Sequence, residues 1–184
     1  GSARNDPWTD RTGGGGMFEA GIYPGAVPAF CGGAKYINKM NATSRKFFDG
    51  RVEIRTLELT DQPGTRAEVR ARIASPKGEL AVLLDEKQVM RFLAYLELKE
   101  GVMRGSHYHK VRHEYFYVIV GEAKLILAEV ESGRKESAKI AAGDLVYIAP
   151  GIAHAYVPLR AGHGVEFAAE VFDMGDVFGY QVEG

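Results

Sequence analysis

Hydrophobic and polar positions along most of this chain alternate with a period of two, in short runs broken by Gly, Pro and Asp. Arg51-Val-Glu-Ile-Arg55 alternates, and its phase shifts at Leu57 and Leu59, which predicts a bulge or a second strand. Asp61-Gln-Pro-Gly64 reads as a turn, the stretch 66–74 alternates charged with small apolar residues, and Ser75-Pro-Lys-Gly78 reads as the next turn. Further strands are expected at 79–84, 90–97, 114–120, 123–130, 145–148, 155–159 and 165–172. About ten short strands with no convincing long helix predict an all-β sandwich or barrel. One copy of each element and no solenoid-type repeat predict a single barrel.

The first 50 residues do not share that pattern. Gly1-Ser2 resembles a protease-cleavage scar and Gly13 to Gly16 is a flexible run, so 1–16 reads as tag and linker, with Met17 as a candidate native start. Residues 17–50 are rich in Gly and Pro and read as an irregular N-terminal arm, with one helical turn near 36–40. The domain proper is expected over 51–184.

Composition narrows the class. The 184 residues are 46% hydrophobic and carry a formal net charge of −1, which gives no electrostatic reason to expect nucleic acid or an anionic membrane as a partner. Cys31 is the lone cysteine, so no internal disulfide forms, and it reads as a small apolar packing residue in a reducing compartment. No apolar run approaches the ~20 residues of a membrane helix, and no signal peptide is evident. A cytoplasmic protein is expected.

The candidate chemistry lies in Gly101-Val-Met-Arg-Gly-Ser-His107-Tyr-His109-Lys-Val-Arg-His-Glu114 and the strand that follows. At strand period His107 and His109 project from one face. After a short turn Glu114, Phe116, Val118 and Val120 share a face, with the carboxylate at the head of an inward row. Two imidazoles and a carboxylate converging from neighbouring strands suit a divalent metal. His154, after the Pro150-Gly151 bend, is a fourth candidate. His113 adjoins Glu114 and must face the opposite way, outward or at the rim. His163, in Ala161-Gly-His-Gly164, reads as a loop residue.

Gly101-x5-His107-x-His109-x4-Glu114-x6-Gly121 resembles the first motif of the cupin superfamily, and Gly143-x6-Pro150-Gly151-x2-His154 resembles its second. Two positions depart: Ala149 stands where proline is usual, and Pro158 where the pattern ends in asparagine. The resemblance implies a double-stranded β-helix (jelly-roll) barrel with a metal inside. It also implies His107, His109, Glu114 and His154 as the ligands of one divalent ion per chain. Nitrogen and oxygen donors without thiolate admit zinc, iron, manganese, nickel or copper.

A narrower similarity, carried by Gly78-Glu-Leu-Ala-Val-Leu-Leu, Met90-Arg-Phe-Leu-Ala-Tyr95 and Arg104-Gly-Ser-His107-Tyr-His109-Lys110, points to the dTDP-sugar epimerase and ketoisomerase branch. The cupin domain of capsular-polysaccharide nucleotide-sugar enzymes is closer still. This resemblance implies a homodimeric enzyme that epimerises or isomerises a keto nucleotide sugar by enolisation. In metal-free relatives the histidine matching His107 is the base, whereas Glu114 favours a metal here. Arg104 would then hold a substrate oxygen or phosphate, and Tyr95 or a rim carboxylate would move the proton. The same ligands also suit an iron-dependent dioxygenase or a non-catalytic small-molecule-binding module.

Overall fold

The computed structural model describes residues 43–60, 71–84 and 89–182. The strands are β1 (Ser44–Phe47), β2 (Val52–Thr56), β3 (Leu59–Thr60), β4 (Ala71–Ser75), β5 (Gly78–Val82), β6 (Phe92–Leu98), β7 (Arg104–Tyr108), β8 (Glu114–Glu129), β9 (Lys135–Ala141), β10 (Asp144–Ile148), β11 (Ile152–Ala168) and β12 (Phe178–Gly179). Two 3₁₀ turns, at Phe48–Gly50 and Met174–Asp176, are the helical elements among the described residues. The Cys31 segment, the turn at 61–64 and most of the arm fall outside them. The barrel sheet begins at Ser44, inside the segment that the sequence assigns to the arm, because Ser44–Phe47 pairs antiparallel with β2.

Two long strands, β8 and β11, build the barrel by serving both of its walls. The first half of β8 pairs with β10 and with the second half of β11, which in turn pairs with β6. The second half of β8 pairs with β9 and with the first half of β11, which pairs with β7. β1 and β2 extend the first wall through β10, and β12 extends the second through β7. A small separate sheet, β3-β4-β5, includes the expected turn at Ser75–Gly78 as a hairpin.

The alternation explains the bend. Phe116 and Val118 are buried in the core before Gly121, and Ala123, Leu125 and Leu127 after it, so the inward parity switches from even to odd. Sequence reading splits this stretch into two strands at that phase change, whereas the structure keeps one bent strand. Gly121 makes the bend at φ +103°, and β11 shifts register opposite it, between Arg160 and His163. His163, expected in a loop, therefore lies within β11 at its own bend.

Val52, Ile54, Leu96, Leu98, Phe116, Leu125, Leu127, Ile140, Val146 and Ile152 fill the space between the walls. Each such side chain contributes on the order of 1.5–3 kcal/mol by leaving water. This apolar packing occupies one end of the barrel and leaves polar residues at the other. No helix among the described residues is long and apolar enough to cross a membrane.

Gly121→Ala tests the crossing. Its Cβ would lie 2.8 Å from the Gly162 Cα and 3.0 Å from the Ala161 carbonyl oxygen, at a backbone angle that L-residues avoid. Chemical denaturation should show a loss on the order of 2–3 kcal/mol.

Candidate metal centre and its pocket

Four side chains from three places converge at the polar end of the barrel. Glu114 opens β8, His154 lies on β11 two residues after Ile152, and His107 is on β7. One ligand atom from each of these three falls within 4.8 Å of the others. His109 joins them with its Nε2 3.4 Å from Glu114 Oε2.

A bulge aims His107. His154 pairs with His107 and Ala155 with Gly105, so Ser106 is an extra residue on β7. Gly105 and Ser106 take φ of +98° and +67°. A Cβ on Gly105 would meet the His154 carbonyl oxygen at 2.9 Å, so the two ligand-bearing strands approach this closely only because that side chain is absent.

His109 is not on the strand. β7 ends at Tyr108, and His109 starts the loop to β8. His109 thus lies one residue past the end of β7, and both rings reach the centre, 5.0 Å apart. The loop is held by Asp176, which no sequence pattern singled out. Its carboxylate accepts from the backbone N–H groups of Lys110 at 2.8 Å, Val111 at 3.2 Å and Arg112 at 3.0 Å. Its backbone carbonyl accepts from His109 Nδ1 at 2.7 Å.

These outer contacts set the tautomers. A carbonyl only accepts, so His109 donates from Nδ1 and turns the Nε2 lone pair inward. His154 does the same, with Nδ1 3.3 Å from the Ile152 carbonyl oxygen. His154 Nε2 lies 3.2 Å from Glu114 Oε1 but off hydrogen-bond geometry, and this buried nitrogen has no other partner. Imidazole nitrogens and carboxylate oxygens thus gather around a common point. Burial alone would raise Glu114, but His154 and His109 hold it well below the ordinary carboxylate range. Burial, together with neighbouring His154, pushes His107 down to about 4, which keeps it neutral at pH 7. Three imidazoles around an ionised carboxylate, with one buried nitrogen that has no hydrogen-bond partner among the described residues, fit a divalent cation of the nitrogen- and oxygen-binding type.

A pocket of about 370 Å³ opens onto this centre. Arg104 is exposed at its mouth. Tyr95 lies at the margin, 67% exposed, with its ring against His163 rather than inward. Its neighbours on β6, Ala94 and Leu96, take the inward positions. His113 points to the rim, as adjacency to Glu114 requires, and pairs with Glu170 at 3.1 Å. Two pocket groups that the sequence did not single out are Glu166 on β11 and Tyr156. Tyr156 Oη is buried without a hydrogen-bond partner among the described residues. Burial, with Glu114 and Glu166 adding to it, raises this phenol well above its usual range, so it stays protonated.

Asp176→Ala should keep the barrel folded by circular dichroism while metal affinity, read by competition with a chromogenic chelator, falls about 10- to 100-fold.

The family model of the polysaccharide biosynthesis C-terminal domain matches residues 74–163. No curated protein matches the chain. Among solved structures, a dTDP-6-deoxy-D-glucose-3,5-epimerase from Legionella pneumophila, in complex with dTDP-4-keto-L-rhamnose, is similar with a TM-score of 0.58 and 12% identity over 74% of this chain and 76% of its own. A TDP-quinovose 3,4-ketoisomerase from Campylobacter jejuni gives 0.55 and 16% over 69% and 91%. A mutant 3,4-ketoisomerase from Thermoanaerobacterium thermosaccharolyticum, in complex with TDP-4-keto-6-deoxyglucose, gives 0.54 and 16% over 70% and 86%. With the two bent strands and the histidine motif in place, the chain has the all-β barrel fold of the cupin superfamily.

Proposed function

We propose that this protein is a metal-dependent isomerase that enolises the keto group of a nucleotide-linked sugar. The carrying observation is the orphaned His154 Nε2 facing Glu114, His107 and His109 at the floor of a pocket large enough for a sugar ring. Support also comes from the similar structures, whose bound compounds include 4-keto sugars carried on TDP.

His107, His109, Glu114 and His154 would hold the ion. A bound divalent cation supplies Lewis acidity toward a carbonyl oxygen. The chain supplies the rest. Tyr156 keeps its proton and can donate to a substrate oxygen deep in the pocket. Arg104 at the mouth can pair with a phosphate or ring hydroxyl. Phe92, Leu96 and Phe172 along the lining exclude water from one side of the pocket. An imidazole whose lone pair is engaged by a cation is no base, so His107 serves here as a ligand.

Elemental analysis by plasma mass spectrometry should find about one divalent ion per chain. Turnover of TDP-4-keto-6-deoxyglucose in D₂O should place deuterium in the sugar without oxygen uptake. Oxygen consumption that depends on ferrous iron would replace this reading with a dioxygenase. Metal without turnover of any keto sugar would leave a binding module.

His107→Ala and Glu114→Gln should each lose metal and activity together, with the rate down at least about a hundredfold. Full activity after chelation would instead restore His107 as a free base.

A further inference from the structure

Glu166 lines the same pocket as the ligand set without belonging to it. It stands on β11, opposite Phe116 of β8 and Ala94 of β6. Once Glu114 is taken as a ligand, Glu166 is the carboxylate that remains among the described lining residues.

Arg112 holds it in place. The Arg112 Nη2 donates to Glu166 Oε1 at 2.7 Å. That arginine is itself fixed: its side chain is 4% exposed, and its guanidinium lies 4.0 Å from the Phe92 ring centroid and 5.8 Å from that of Phe172. Its backbone N–H donates to Asp176, the residue that also carries His109. Glu166 keeps 18% exposure, so it is anchored at one end yet still open to the pocket.

We propose that Glu166 is the proton-transfer residue of this pocket and that Arg112 is its positioning residue. The assignment rests on the enolisation reading above. The Glu166 carboxylate removes the proton from the carbon beside the ketone. The C–H electron pair becomes the new C=C bond, and the carbonyl π pair moves onto oxygen. Glu166 then returns a proton to the former carbonyl carbon, the C=C pair forming that C–H bond, while the adjacent hydroxyl proton passes to the former carbonyl oxygen and the O–H pair it leaves behind forms the new C=O. Nothing is oxidised or reduced overall, and no co-reactant is consumed.

One group acting on one face delivers the proton to the neighbouring carbon on that face. Inversion at a single carbon needs a donor on the opposite face. The reading therefore narrows to ketoisomerisation of an α-hydroxy ketone.

The electrostatics agree with the geometry. Burial pushes Glu166 up to about 7, Glu114 adds to the rise, and Arg112, His154 and His109 draw it back. A carboxyl group titrating there is close to the operating pH of a general base. The base form is needed to start the reaction, so kcat/KM should rise with pH along an acidic limb and level off above it.

The test uses metal-loaded protein, TDP-4-keto-6-deoxyglucose in D₂O, and NMR of the sugar. Glu166→Gln should keep its metal and lose proton exchange and isomerisation by about 10²- to 10⁴-fold. Arg112→Met should keep metal and move the acidic limb of the pH profile upward, and Arg112→Lys should move it back. Exchange in the wild type that persists in Glu166→Gln overturns the Glu166 assignment alone. Loss of metal from Glu166→Gln also overturns it, by making the residue a ligand. An epimer as the product overturns the single-face shuttle. Neither exchange nor isomerised product from the metal-loaded wild type overturns the enolisation reading and the assignment together.

Discussion

Glu114 is an ionised carboxylate at the inner end of a strand, with 3% of its surface exposed. A buried charge without compensation costs several kcal/mol, so everything around it must supply positive charge or donors. The protein arranges two imidazoles within 3.4 Å of its oxygens and adds His107 beside them. Those imidazoles turn their N–H groups outward to carbonyls and their lone pairs inward, which concentrates electron density at one point. A proton shared with a histidine relieves that concentration in part. A divalent cation relieves it fully, and this is the physical case for a metal centre.

Asp176 connects the centre to its surroundings. A single carboxylate gathers three consecutive backbone N–H groups and thereby fixes the loop between β7 and β8. One end of that loop presents His109 to the candidate metal centre, and the other presents Arg112 to Glu166. Ligand geometry and the placement of the second carboxylate thus share one support. The exposed turn Met174–Asp176 that carries Asp176 lies far along the chain from both.

Two carboxylates in one pocket are driven apart by their environments. Glu114 sits among imidazoles and is held ionised, whereas Glu166 feels burial and the charge of Glu114, which Arg112, His154 and His109 only partly offset. Separation of this kind allows one group to bind an ion while another exchanges a proton near neutral pH. Tyr156, raised by burial and by both carboxylates, stays protonated in the same pocket.

Strand alternation and the two histidine motifs were enough to read the barrel class and the four converging residues, because period-two burial and ligand spacing are local properties of the chain. Even the bend at Gly121 left a trace, as a change of phase between Val118 and Ala123. The joining of 114–120 and 123–130 into one strand was not legible, since it depends on β11 bending opposite. β9 lacks a clean apolar alternation, and its existence follows from its pairing with β8. Tyr95, a proton-transfer candidate from the sequence, lies at the pocket margin with its ring against His163, while Ala94 and Leu96 take the inward positions. Asp176, Arg112 and Glu166 were silent for one shared reason. Each is an ordinary charged residue in sequence, and its partners lie 54 to 67 positions away. Sequence alone determined which ligand-type residues share a motif. Tertiary structure decided which carboxylate remains beside them, because long-range contacts set both its neighbours and its burial.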